Sequence, residues 1–253
     1  MSGDERGRPS GGWTPRSVIR RGRAVLREEG LRELWMRVVG ETFYRRMLLL
    51  HDTIDNAPAM PGVSNEAVEF RPLEAHEMEG YFRLRPDQLE AEIRSRLDEG
   101  QVCFGAIEDG RVLQASWLAL AGAAWNEYLD SQVPLGPGEA YAYDWYAAPT
   151  DRGRTLFRDQ ISATFSYFSD PENRRRWFPQ LPAAPDAGYG FVAAFHIENG
   201  VWALFVRMGW RPKEIIGYVG FGRLKWRFRR RLKDLERLQQ TADKHAARRR
   251  SRS

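Results

Sequence analysis

Apolar and polar positions follow two different rhythms along this chain. In the first part Leu31, Leu34, Trp35, Val38, Val39 and Phe43 recur at helical spacing, with arginines between them. That spacing predicts two or three helical segments over residues 14–55, with Thr14 or Ser17 as the first cap and Gly30 and Gly40 as breaks. Residues 56–65, "NAPAMPGVSN", predict a linker. The pattern then shortens. "AVEFRPL" predicts a short strand, and "RPDQLEAEIRSRLDEG" a helix with Pro86 near its first turn and Gly100 just past its end. "QVCFGAIEDGRVLQASWLAL" predicts two strands joined at Asp109-Gly110, a pair suited to a turn that needs positive φ.

Further on, "EAYAYDWYAAP" predicts a strand. "TLFRDQISATFSYF" predicts a helix with Phe157, Ile161, Phe165 and Phe168 on one face. "DPENRRRWFPQLPAAPDAGYG" reads as a long loop, "GFVAAFHI" as a buried strand, and "GVWALFVRMG" as a short helix ended by Gly209. "EIIGYVGF" reads as a final strand or strand pair. The tail has a helical start at Leu232, Leu235 and Leu238 and a basic, disordered end. The expected organisation is a disordered start, helical extension and linker over residues 1–64, a main domain over 65–228, and a basic tail over 229–253.

Charge sharpens this division. Residues 1–50 hold 11 Lys and Arg against 6 Asp and Glu, and residues 223–253 hold 13 against 3. With a formal net charge of +5 for the whole chain, the body between them carries −10. Two basic arms on an acidic body attract anionic surfaces: acidic lipid, nucleic acid or the body itself. The N-terminal stripe then has two readings, a helix pair docked on the main domain or an amphipathic helix on an anionic membrane. A nucleic-acid role rests on the arginine-rich tail alone and is the weakest of these.

The single cysteine, Cys103, excludes a disulfide within the chain and sits in a strand-like run as a small core residue. No run approaches the roughly 18 apolar residues of a membrane-spanning helix. The start lacks the uninterrupted apolar core of a secretory signal. These features lead to the expectation of a cytoplasmic protein, peripheral at the inner membrane face if the basic arms engage lipid. His51, His76, His196 and His245 are scattered, so no metal site is expected.

The order of elements, strand, helix, hairpin, strand, helix, strand, helix, strand, gives "PTDRGRTLF" its context. That stretch resembles the central motif of the GNAT acyltransferase superfamily. There a strand ending in proline leads to an Arg/Gln-x-x-Gly-x-Gly/Ala loop and a helix. The resemblance spans roughly residues 68–226 and implies an α/β (α+β) fold with a central mixed sheet flanked by helices. It also implies coenzyme A thioester, acetyl-CoA or another acyl-CoA, as co-substrate. Its pyrophosphate would lie on the loop and helix start, Arg152, Gly153, Arg154, Thr155, Leu156 and Phe157, where free amides and the helix dipole favour an anion. Its pantetheine arm would run along Trp145, Tyr146, Ala147 and Ala148. Thr155 and Phe157 stand where the family has Gly and Gly/Ala. "HIENGVWALFVRMGW" resembles the second family segment. It places Glu198 at the family's Asn position with Asn199 one residue late, and Phe205 where many members use a tyrosine as general acid.

Three residues are candidate bases for the acceptor amine: Asp144, His196 and Glu198. Asp144 lies among aromatics, which predicts a raised pKa suited to a base near neutral pH. Tyr143 and Tyr146 are alternative proton donors. The leading expectation is an acyltransferase, an N-acetyltransferase by resemblance, acting on an amine of a small metabolite or amino sugar. Two rivals stay open: a catalytically degenerate binding or scaffold protein, and a membrane-surface acyltransferase with a lipid- or carrier-linked substrate. Oligomeric state is not legible.

Overall fold

The structure, a computed structural model, describes residues 44–55, 66–148, 156–183, 185, 188–197, 200–221 and 224–231. The N-terminal stripe up to Phe43, the linker over residues 56–65, the loop from Pro149 to Thr155, Glu198, Asn199 and the tail from Leu232 lie outside the described residues.

Ten strands and five α-helices alternate along the described chain. They are β1 (Tyr44–Thr53), β2 (Glu69–Pro72), α1 (Met78–Leu84), α2 (Glu90–Asp98), β3 (Val102–Glu108) and β4 (Arg111–Ala119), followed by a small hairpin of β5 (Trp125–Asn126) and β6 (Ser131–Gln132). Next come β7 (Glu139–Ala147), α3 (Phe157–Ser169), α4 (Pro171–Trp177), β8 (Gly190–His196), α5 (Trp202–Arg207), β9 (Arg211–Phe221) and β10 (Leu224–Arg231). Eight strands form one sheet in the order β10-β9-β1-β8-β7-β4-β3-β2. Every neighbouring pair is antiparallel except β7–β8, which is parallel. The expected mixed sheet flanked by helices is therefore present.

β1 corrects the reading of residues 14–55 as wholly helical. "RRMLLLHDT" is a strand in the middle of the sheet, between β8 and β9. Leu48 and Leu50 pack on one face while Met47 and Leu49 pack on the other. A strand buried on both faces reads as a continuous apolar run without alternation. The sheet domain accordingly begins by Tyr44 rather than at residue 65, and β10 carries it to Arg231, past the expected limit at 228. Two further corrections are local. α1 lies in a stretch to which the pattern assigns no element, and α4 lies inside the stretch that reads as a loop. α4 starts on Asp170, whose side chain accepts from the Glu172 amide at 2.9 Å, with Pro171 in its first turn.

The remaining elements fall where the pattern puts them. The β3–β4 turn places Asp109 at φ 48° and Gly110 at φ 72°, the double positive φ of a two-residue hairpin. Gly110→Ala is expected to lower stability by about 1 kcal/mol, measured by urea titration, because only glycine holds that φ without strain.

Two cores flank the sheet. On one face α3 and α5 cover Phe104, Leu118, Ala142, Phe191 and Phe195 with Ile161, Phe165, Phe168, Trp202 and Phe205. On the other, α1 and α2 bring Met78, Tyr81 and Ile93 onto Cys103, Ala115 and Trp117. The Cys103 thiol is fully buried, and its burial pushes its pKa well above the ordinary value, as expected of a core residue.

Candidate functional site

The parallel pair at the centre of the sheet is short. Glu139, Ala140 and Tyr141 of β7 pair with Gly190, Phe191 and Val192 of β8. Beyond them β7 runs on to Ala147 and β8 to His196 without pairing to each other. The carboxyl ends of the two strands therefore bound an opening in an otherwise continuous sheet. In open α/β sheets such a break, at the carboxyl ends of parallel strands, is where ligands are held.

β7 is bent at this point. Tyr143 pairs with Trp117 and Tyr146 with Ala115, so Asp144 and Trp145 together oppose the single residue Ser116. Asp144 takes φ 50° to make this bulge. A bulge of this kind re-aims the side chains beside it. Trp145 turns to the α3–α5 side, while Tyr143, Asp144 and Tyr146 face α1 and α2.

On the α3–α5 side an aromatic cluster lines the opening. Trp145 meets Phe157 at 5.5 Å and Phe205 at 6.1 Å between ring centroids, and Phe157 meets Phe205 at 5.7 Å, all edge-to-face. Phe195 at the end of β8 lies 4.4 Å from Phe205. Phe157 thus turns inward from the first turn of α3. Leu156, just before that helix, is buried with Val68, Ala106 and Leu113. The indole Nε1 of Trp145 is enclosed and has no hydrogen-bond partner among the described residues.

The four β7 residues expected along an acyl-carrying arm differ in availability. Ala148 donates its amide to the Leu113 carbonyl on β4 at 2.8 Å. By the alternation of an antiparallel ladder, Ala147, opposite Gln114, directs its amide away from β4 and toward the opening. Tyr146 and Trp145 contribute side chains on opposite faces. Beneath the start of α3, Gln114 is wholly buried, and neither end of its amide nor the Gln160 carbonyl oxygen has a partner among the described residues.

On the other side of the sheet Asp144 is the centre of a charged network. Its Oδ1 accepts from Arg85 Nη1 at 2.7 Å, and its Oδ2 accepts from Gln88 Nε2 at 2.6 Å and Arg96 Nη1 at 2.9 Å. Arg85 also pairs with Asp87 at 3.0 Å and stacks on the Tyr146 ring at 4.4 Å. Arg96 lies 5.3 Å from both the Trp117 and Tyr143 rings. Burial alone would raise the Asp144 pKa, but the Arg85 and Arg96 guanidiniums outweigh it and hold the carboxyl below its ordinary value. This overturns the expected raised pKa. Both oxygens are engaged and the group stays ionised, so it anchors the bulge to α2 and the segment before it. Tyr143 donates its hydroxyl to Gln101, and burial raises its pKa, which makes it a weak acid.

His196, on β8 across the opening, is half-buried, with its ring edge-to-face on Tyr128 at 5.0 Å. It shares its sheet face with Val192 and Ala194, the face that also carries Tyr143. Of the expected site residues the structure thus brings Trp145, Phe157 and Ala147 to one opening and sets Asp144 and His196 at its rims. Arg152, Gly153, Arg154, Thr155, Glu198 and Asn199 belong to the segments outside the described residues. Sequence reasoning missed Arg85, Gln88 and Arg96. Among the described residues no three His, Cys, Asp or Glu side chains converge as a metal site, and no helix is long and apolar enough to cross a membrane.

No family model and no curated protein matches the chain. Solved structures similar to it include a functionally unknown conserved protein from Staphylococcus epidermidis, with 7% identity, TM-score 0.44 and coverage of 75% of this chain and 67% of that one. They also include a GCN5-related N-acetyltransferase from Kribbella flavida, with 13% identity, TM-score 0.41 and coverage of 78% and 66%. A tandem GNAT protein from the clavulanic acid biosynthesis pathway is similar with 13% identity, TM-score 0.41 and coverage of 73% and 56%. The match therefore spans between 56% and 67% of the length of these chains. Likeness at this level is one of outline, and the functional argument rests on the opening itself.

Proposed function

We propose that the chain is an acyltransferase of the GNAT type, moving an acyl group from a coenzyme A thioester to an amine of a small acceptor. The observation that carries this reading is the opening where β7 and β8 part, bordered by the bulge at Asp144 and followed in the chain by the start of α3. The residues present fit an extended amide-bearing arm. Ala147 is small and directs its amide into the opening, and the enclosed Trp145 Nε1 lacks an acceptor among the described residues that a carbonyl could supply. The thioester would supply the activated acyl group. The chain's own part is to hold and aim it: the β7 backbone aligns the arm, Asp144 fixes the bulge, and the aromatic cluster keeps water from the reacting carbonyl. Of the two candidate bases among the described residues, His196 is the group to take the proton from the acceptor amine, since Asp144 is committed to its arginines.

One observation favours a second reading, a binding or scaffold protein that has lost transfer chemistry. Trp145, Phe157 and Phe205 meet one another across the opening, and Phe205 has no proton to give. Calorimetry with acetyl-CoA and with free coenzyme A separates the two. Binding with turnover of a panel of primary amines supports transfer, and no binding of either supports the scaffold. Under the first reading, His196→Gln is expected to lower turnover by about 100-fold or more, within the usual range for a general base. The variant should remain folded by circular dichroism, and an unaffected rate would remove His196 from the mechanism.

A further inference from the structure

The outer edge of the sheet carries an exposed apolar face that neither core uses. Leu224 and Trp226 of β10 are 86% and 83% exposed, and Val219 and Tyr44 are 51% and 44% exposed. Three of these form one row across the strands, since Trp226 pairs with Val219 and Val219 with Tyr44. Directly paired residues share a face, and Leu224, two residues before Trp226, extends it. In the next row Phe228 lies across Gly217 and stacks on Tyr44 at 6.2 Å and 21°. A Cβ on Gly217 would come within 2.7 Å of that ring. Phe228 is therefore tucked against the sheet while Trp226 and Leu224 project from it.

Positive charge borders the same face. The Arg46 guanidinium lies 5.8 Å from the Tyr44 ring centroid, and exposed Arg230 pairs with Ile215 two rows beyond Val219. β10 as a whole reads "LKWRFRRR", with five basic residues and no acid. Charge on an edge strand also guards against edge-to-edge pairing. That role accounts for the arginines but not for a projecting leucine and tryptophan, which a guarded edge avoids. Trp226 could stack on a nucleobase, but Leu224 and Val219 offer a base nothing. The chain's own flanking segments carry the same sign as the border of this face. Residues 1–43 hold 9 Lys and Arg against 6 Asp and Glu, and residues 232–253 hold 7 against 3. The partner that fits is anionic at its surface and apolar just beneath.

We propose that this face docks on an anionic lipid bilayer. Trp226 and Leu224 enter the zone between headgroups and acyl chains, where tryptophan is favoured, and Arg46 and Arg230 meet the headgroup phosphates. The chain before β1 and after β10 is net basic as well, which adds long-range attraction of the whole protein to an anionic surface.

The test is co-sedimentation of the full chain with phosphatidylcholine vesicles, with and without phosphatidylglycerol, at low and high salt. Binding is expected only with the anionic lipid and falls as salt rises. Leu224→Ser combined with Trp226→Ser should lower the partition coefficient by at least about tenfold, and Arg230→Glu should lower it several-fold. These side chains are exposed, so the melting temperature should not move. In vesicles of brominated lipid, Trp226→Phe should still bind while losing part of the fluorescence quenching shown by the wild type. No binding by the wild type, equal binding to neutral vesicles, or full binding by the double serine variant would each overturn the proposal. So would wild-type binding to a single-stranded oligonucleotide that the double variant loses, which would assign the face to nucleic acid.

Discussion

Asp144→Asn is expected to lower folding stability by about 3 kcal/mol, the lower end of the cost of breaking an enclosed ion pair. Asparagine keeps the shape and tolerates the positive φ of this position. What it loses is charge and one acceptor. Oδ1 faces Arg85 and Oδ2 faces Gln88 and Arg96, so whichever way the new amide is turned its NH2 group meets a donor. Arg85 and Arg96 are 8% and 15% exposed at the side chain, which leaves their charge poorly solvated once the carboxylate is gone. Urea denaturation at neutral pH measures the loss, and a change below about 0.5 kcal/mol would show that the network does not hold the fold.

The same residue sets a pH dependence. Its folded pKa lies below the ordinary carboxylate value. Its contribution is therefore complete above the unfolded pKa near 3.9 and is lost as pH falls through that value toward the folded one. Glu139 behaves alike. Despite its burial, His51, the Gly136 amide and Lys213 hold its pKa down to about 2. Wild type and Asp144→Asn should both weaken on acidification, the wild type more steeply, and the gap between them should narrow below about pH 4. A constant gap would separate the stability loss from the carboxylate's charge.

The second large effect is expected at Phe205. This ring is wholly buried and touches Trp145, Phe157, Phe195 and Trp210. Truncation to alanine opens a cavity among rigid aromatic neighbours and should cost about 3–5 kcal/mol by thermal or chemical unfolding. Phe205→Tyr is the more informative change. It restores the residue type that the GNAT family resemblance leads one to expect there. The neighbouring aromatic rings present only indole donors, the Nε1 groups of Trp145 and Trp210, so the proton of a new hydroxyl gains no acceptor among the described residues except one supplied by a ligand. The variant should therefore lose about 1–3 kcal/mol in the free protein, and regain part of it on addition of acetyl-CoA if the thioester lies beside this ring. A tyrosine variant as stable as the wild type without ligand would mean that the cluster holds an acceptor or a water.

Several elements could be read from residue pattern because their determinants are local. The β3–β4 hairpin follows from Asp109-Gly110, and α3 from the apolar spacing of Phe157, Ile161, Phe165 and Phe168. β1 could not be read this way, because "MLLL" buried on both faces has no period to distinguish strand from helix. The site was legible only by halves. β7, the aromatic residues beside the opening and the candidate His196 were visible as positions. The state of Asp144 was not, because it depends on Arg85, Gln88 and Arg96, which lie 59, 56 and 48 residues earlier in the chain. Its aromatic sequence neighbours suggested a raised pKa, while distant guanidiniums lower it. No local signal in "RPDQLEAEIRSR" marks Arg85 or Arg96 as partners of β7.

The brevity of the β7–β8 pairing has a mechanical consequence. The sheet is two four-stranded antiparallel blocks, β10-β9-β1-β8 and β7-β4-β3-β2, sewn together along a seam of three residue pairs. α3 acts as a strap across that seam. Gln160 bonds the Phe104 carbonyl and Ser116 in one block, while the Phe165 ring lies 4.9 Å from Phe191 in the other. Amides at the open end are therefore expected to exchange faster than those of the seam at Glu139–Tyr141, and a molecule seated between the blocks is expected to act as a splint, slowing exchange in both strands at once.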